Sequence, residues 1–106
     1  MGIHDNKIAI VTGGAQGIGR GIVDVLSSEG AKVCVADISK EHGERAVNQI
    51  NENGGSAIFV EADFEKSDVP EKVVSECVNN FGTVDILVNN VAVSYTHLRA
   101  HETPLY

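Results

Sequence analysis

From Lys7 onward, short apolar runs alternate with longer stretches of helical period. Lys7–Thr12 (KIAIVT) is a β-branched run that leads straight into glycines and reads as a strand. Ile18–Glu29 then carries Ile18, Ile22, Val25 and Leu26 at the spacing of a helix that buries them, and Gly30 is placed to stop it. Lys32–Asp37 (KVCVAD) reads as a second strand. Ser39 offers an N-cap oxygen to a second helix with Ala46, Val47 and Ile50 on one face, ended by Asn53-Gly54-Gly55. Ser56–Glu61 (SAIFVE) makes a third strand. Asp68–Phe81 makes a third helix on Val69, Val73, Val74, Cys77, Val78 and Phe81, with Asp68 and Glu71 spaced to cap its first turn around Pro70. Gly82 closes it, and Val84–Asn89 (VDILVN) is the fourth strand.

Strands that are apolar almost throughout need a helical layer on both faces. Right-handed crossovers between them then give a Rossmann-type three-layer α/β sandwich with a partial parallel sheet in the order 3-2-1-4, stopping before a fifth strand. No internal repeat, linker or low-complexity tract interrupts residues 1–92, which read as one nucleotide-binding-type unit, with 93–106 set apart as a tail.

The segment with the most chemistry in it is Thr12-Gly13-Gly14-Ala15-Gln16-Gly17-Ile18-Gly19, lying between a predicted strand and a predicted helix. A pyrophosphate can sit against a helix N-terminus only where the backbone comes close with its amides turned to the ligand, and Gly13, Gly17 and Gly19 leave that approach free. The spacing is G-x-x-x-G-x-G, not the commoner G-x-G-x-x-G. A glycine-rich turn serving chain reversal alone is the plainer alternative. Asp37 closes the second strand 18 residues past Gly19, where a carboxylate can accept hydrogen bonds from both hydroxyls of an adenosine ribose and repel a 2′-phosphate. Taken by itself, Asp37 could equally be a strand-end turn residue. Neither Gln16 nor Ile38 is basic, so nothing at those positions neutralises a 2′-phosphate. The expectation is NAD in preference to NADP, with Lys40 as the residue that would oppose it.

Composition narrows the function classes. A formal charge of −7 and no clustered Lys or Arg argue against nucleic acid as a partner. Met1–Lys7 lacks the basic stretch and apolar core of a signal peptide, and no run approaches the ~18 apolar residues that span a bilayer. A cytoplasmic protein without membrane partners is therefore the default expectation. Cys34 and Cys77 have neither metal-ligand nor redox spacing and read as buried, reduced and structural.

The loop, the acid after it and the Asn89-Asn90 pair resemble the short-chain dehydrogenase/reductase family, whose glycine motif is T-G-x-x-x-G-x-G; the resemblance covers about 7–91. It implies a nicotinamide-dependent oxidoreductase, transferring hydride between a secondary alcohol or ketone and NAD, with a homodimeric or homotetrameric parent protein. It implies that Thr12, Gly13, Gln16, Gly17, Ile18 and Gly19 of the loop, and Asp37 and Ile38 after the second strand, bind the cofactor. The Asp63 carboxylate would hold the adenine amino group with the Phe64 backbone beside it, and Asn89 and Asn90 would run next to the adenosine. Asp63 could instead simply begin a turn. The family's N-N-A-G is here Asn89-Asn90-Val91-Ala92, which brings more side-chain bulk against a cofactor.

Catalysis in the family rests on a Y-x-x-x-K pair, in which the lysine lowers the tyrosine's pKa, and no such pair occurs in the sequence. Tyr95-Thr96-His97-Leu98-Arg99 mimics it only superficially, and His97, His101 and Glu102 do not make a complete metal set, so no catalytic residue and no metal ligand is assigned. Val93–Thr103 breaks the preceding pattern and resembles one reading frame of a transposase-type sequencing adapter. The reading that follows is the cofactor-binding part of an oxidoreductase, with a non-catalytic nucleotide-binding module as the alternative.

Overall fold

A computed structural model describes residues 5–90, so the expectations for Val91, Ala92 and the 93–106 tail lie outside the described residues. Within them the order is β1 (Ile8–Thr12), α1 (Gly17–Ser28), β2 (Lys32–Asp37), α2 (Lys40–Glu52), β3 (Ser56–Glu61), α3 (Val69–Phe81) and β4 (Ile86–Asn89). All strand pairs are parallel and the sheet order is β3-β2-β1-β4, the predicted topology.

The two faces of the sheet carry separate cores because side chains alternate along each strand. Ala9, Val11, Val33 and Val35 point to the layer of α1 and α2, where they meet Val23, Leu26, Val47 and Ile50. Ile8, Ile10, Cys34 and Ala36 point to the opposite layer, where they meet Val69, Val73 and Cys77 of α3. β1 and the last five residues of β2 are wholly buried, as their unbroken apolar runs require, whereas β4 is only half-buried. Burying each such Val or Ile contributes about 1.5–3 kcal/mol relative to exposure.

Two expectations about helix faces need correction. In α1, Ile18 and Val25 are 78% and 58% exposed, and the buried residues are Gly19, Val23 and Leu26. Gly19 abuts the Gly13 carbonyl, and a Cβ there would occupy that oxygen's place, so the helix is turned with its glycine inward. In α3, Val78 is exposed, and Asp68 makes no side-chain cap because its backbone is already helical in φ and ψ. An N-cap oxygen reaches the first-turn amides from an extended backbone. Ser39 has that geometry, and its hydroxyl does accept from the His42 amide at the head of α2.

Candidate functional site

The parallel strands end together at one edge of the sheet, and β1 lies between β2 on one side and β4 on the other. The chain leaves β1 toward the α1 layer, while β4 is reached through α3 on the opposite face. A divergence of this kind, at the carboxyl ends of the strands, is the place where open α/β sheets bind ligands. The loop of residues 13–16 follows β1 at that end.

Hydrogen bonds fix the loop from three directions. The Gly13 amide donates to the Ala36 carbonyl at 2.7 Å, extending the β1–β2 ladder by one rung. The Ala15 amide donates to Asp37 Oδ2 at 3.0 Å, and the Ser39 amide to Asp37 Oδ1, also at 3.0 Å. Just past β4, the Asn90 side-chain amide donates to the Gly13 carbonyl at 3.3 Å, and the Asn90 backbone amide to Thr12 Oγ1 at 2.9 Å. The Thr12 hydroxyl in turn lies 3.2 Å from Asn89 Oδ1 as donor. Thr12, Gly13, Asn89 and Asn90 are thus one hydrogen-bonded group, and Asp37 holds the same loop through the Ala15 amide.

The two glycines at the head of α1 serve different needs. Gly17 has φ of 62°, which favours glycine, and a Cβ there would meet nothing within 4 Å. Open space above a left-handed glycine is what a close-lying ligand requires. Gly19 instead gives the helix room to lie against the loop. Gln16 stands at the N-cap of α1 with an extended backbone and makes no side-chain cap, so no side chain covers the first-turn amides. Those amides and the helix dipole favour an anion.

Asp37 is 8% exposed, one of the few polar side chains buried in the domain. Each of its oxygens takes one protein hydrogen bond, which leaves each a further lone pair for a ligand hydroxyl. Ile38, next to it, is 65% exposed, and Ile18 also faces outward, so two large apolar side chains flank the loop and the acid. Ile18 therefore keeps the place expected of it beside the loop, although not its expected burial.

At the end of β3 the Ala62 amide donates to the Asp37 carbonyl, which brings the next residues alongside the acid. Asp63 Oδ1 accepts from the Glu65 amide at 3.1 Å, so Asp63 does begin a turn, while Phe64 packs against the α3 core. The contribution of Ala15 was not visible in the sequence, since a backbone amide leaves no residue-type signal. Among the described residues no group of three His, Cys, Asp or Glu could hold a metal ion, and no helix is long and apolar enough to cross a membrane. His97, His101 and Glu102, and the Tyr95–Arg99 segment, lie outside the described residues.

Comparison with known proteins agrees with this geometry. The chain is 36% identical over 105 residues to the uncharacterized oxidoreductase YxbG of Bacillus subtilis, covering 99% of this chain and 38% of that protein. It is 41% identical over 90 residues to the short-chain dehydrogenase/reductase homolog YusS of Bacillus subtilis, covering 84% of this chain and 83% of that one. Among solved structures, a 7 alpha-hydroxysteroid dehydrogenase complexed with NADH and 7-oxo glycochenodeoxycholic acid superposes with a TM-score of 0.78 at 34% identity, over 80% of this chain and 33% of that enzyme. The chain thus spans well under half the length of YxbG and of the hydroxysteroid enzyme. The family model described as short chain dehydrogenase matches residues 7–104. A match through nearly the whole sequence, on a sheet and glycine loop of this geometry, means that the chain belongs to the short-chain dehydrogenase family.

Proposed function

We propose that the chain is the adenosine-binding part of a nicotinamide-dependent oxidoreductase that interconverts secondary alcohols and ketones. The observation that carries this reading is the buried Asp37 carboxylate, tied to the Ala15 amide beside a helix N-terminus that no side chain caps. The residues present fit a dinucleotide: space above Gly17, uncapped amides for the pyrophosphate, and free lone pairs on Asp37 for ribose hydroxyls. Gly13, Gln16, Gly17 and Ile18 would hold the phosphates, with Thr12 and Gly19 buried behind them to fix the loop. Asp37 and Ile38 would hold the ribose, Asp63 and Phe64 the adenine, and Asn89 and Asn90 would keep the loop in place beside it.

The cofactor, when bound, supplies the hydride acceptor or donor. The residues of this chain bind and orient, and the sequence carries no Y-x-x-x-K pair to move a proton. The proton-transferring pair, the small-molecule alcohol or ketone pocket and a homodimeric or homotetrameric interface belong to the parent protein in this reading, with the cytoplasm as its compartment. NAD is favoured over NADP because a 2′-phosphate would have to sit against Asp37, and the NADH named with the hydroxysteroid enzyme agrees with a nicotinamide dinucleotide.

The test is a titration of the purified chain with NADH, followed by nucleotide fluorescence, beside Asp37→Ala. Hydrogen bonds to a charged group contribute roughly 1.5–3 kcal/mol, so the variant should bind NADH at least about tenfold more weakly. Undiminished binding by the variant would remove the basis of the reading. A nucleotide-binding module with no chemistry of its own is favoured by a different observation, the match to YusS over most of both chains. A Y-x-x-x-K pair in the coding sequence of the parent would decide for the oxidoreductase.

A further inference from the structure

The chain passes from β2 into α2 through Ile38 and Ser39, and Ser39 Oγ lies 2.7 Å from His42 Nδ1 while accepting from the His42 amide at 3.4 Å. The Ser39 amide donates to Asp37 Oδ1 at 3.0 Å, so one residue links the imidazole to the acid. Nothing proposed for the nucleotide site uses this pair. Ser39 and His42 are both half-buried, so water reaches them. A neutral imidazole with its hydrogen on Nε2 takes the Ser39 hydroxyl hydrogen on Nδ1, which leaves Ser39 offering only lone pairs, as Asp37 does. A protonated imidazole has no acceptor. Its Nδ1 then donates to Ser39 Oγ, and the hydroxyl hydrogen turns away from the ring.

We propose that His42 is a positioning residue that sets, through the Ser39 hydroxyl, whether the ribose 2′ position meets an acceptor or a donor, so that a proton taken up by His42 admits a 2′-phosphorylated adenosine. This rests on the reading that Asp37 holds the adenosine ribose. With His42 neutral, a 2′-phosphate faces the Asp37 carboxylate and the Ser39 oxygen, two acceptors in succession. With His42 protonated, the phosphate gains the Ser39 hydroxyl hydrogen, and the new positive charge offsets that of Asp37. The other charges near His42 come from three elements. Asp37 and Glu61 end β2 and β3 level with each other. Lys40, Glu41, Glu44 and Arg45 are exposed on α2, with Arg45 paired to Glu41. Arg20 of α1 is paired with Asp24 and meets α2 further along, at Gln49. What these charges contribute is common to a chain with or without the imidazole, so it cancels in the comparison that tests the proposal.

The experiment measures by calorimetry, on the full 106-residue chain, the affinities for adenosine 5′-monophosphate and adenosine 2′,5′-bisphosphate from about pH 8 to about pH 5.5, the range in which histidine changes charge. The two probes differ only in the 2′-phosphate, whose own protonation affects every variant alike. Toward acid pH, the preference for the monophosphate should fall by about tenfold more in the native chain than in His42→Gln, the contribution of one charge-assisted hydrogen bond. Glutamine at this position keeps a Ser-x-x-Gln capping pattern, which preserves the head of α2. Ser39→Ala retains the imidazole without the hydroxyl and should lose the extra fall as well. Equal falls in the native chain and His42→Gln, or the full fall in Ser39→Ala, overturn the proposal and leave the Asp37 site standing. Failure of the monophosphate to bind, or binding indifferent to Asp37→Ala, overturns the underlying reading together with the proposal.

Discussion

The Asp37 carboxylate joins two segments, one oxygen taking the Ala15 amide and the other the Ser39 amide. Its removal therefore loosens the phosphate loop as well as deleting an acceptor, and the conservative variant separates the two roles. Asp37→Asn keeps one acceptor but loses the charge, so the preference for NADH over NADPH should narrow or reverse, as read by parallel titrations; an unchanged ratio would mean that the charge does not discriminate. The glycines separate in the same way. Gly19→Ala drives a methyl into the Gly13 carbonyl and should destabilise the fold by about 1–3 kcal/mol in urea unfolding. Gly17→Ala meets no protein atom, so its cost is limited to about 1–2 kcal/mol of left-handed backbone, and its larger effect should be on nucleotide binding. At this scale Gly13, Gly17, Gly19 and Asp37 were legible because their residue types answer a physical need at a known spacing. The Ala15 amide and the Asn90 link to Gly13 were not, because a backbone donor has no residue signature and a contact from β4 to the loop depends on strand order.

Hydrophobic period puts Ile18, Ile22, Val25 and Leu26 on the inner face of α1. The fold keeps Leu26 inside and Ile22 half-buried against the core, but turns Ile18 and Val25 outward, because Gly19 must lie against the Gly13 carbonyl and Val23 follows it inward. The two faces should respond differently to mutation. Leu26→Ala should cost about 2–5 kcal/mol in urea unfolding, whereas Ile18→Ser should stay within about 0.5 kcal/mol. Equal losses would contradict this orientation of the helix. The other elements were legible to within a residue or two because their apolar runs are bounded by Gly, Asn or Ser. The absent Asp68 cap was not, since a sequence spacing does not reveal a backbone that has already entered the helix.

Over the whole molecule, the sheet divides two cores, and the order 3-2-1-4 followed from apolar strands and right-handed crossovers alone. That same order brings β2 under α3 and so places Cys34 and Cys77 in one core. Ile18 and Val25 of α1 stand exposed over a shallow cleft that Gly21, Ile22, Leu26 and Glu29 also line, and β4 is only half-buried. Exposed apolar surface of this kind promotes association. The isolated chain should sediment with a mass that rises with concentration, and Ile18→Ser with Val25→Ser should lower it; a monomer at every concentration would count against this. The central claim is that this fold forms an adenosine half-site, and competition against bound NADH tests it most directly. Adenosine 5′-monophosphate should displace NADH while nicotinamide mononucleotide should not; displacement by nicotinamide mononucleotide, or by neither, would contradict the account.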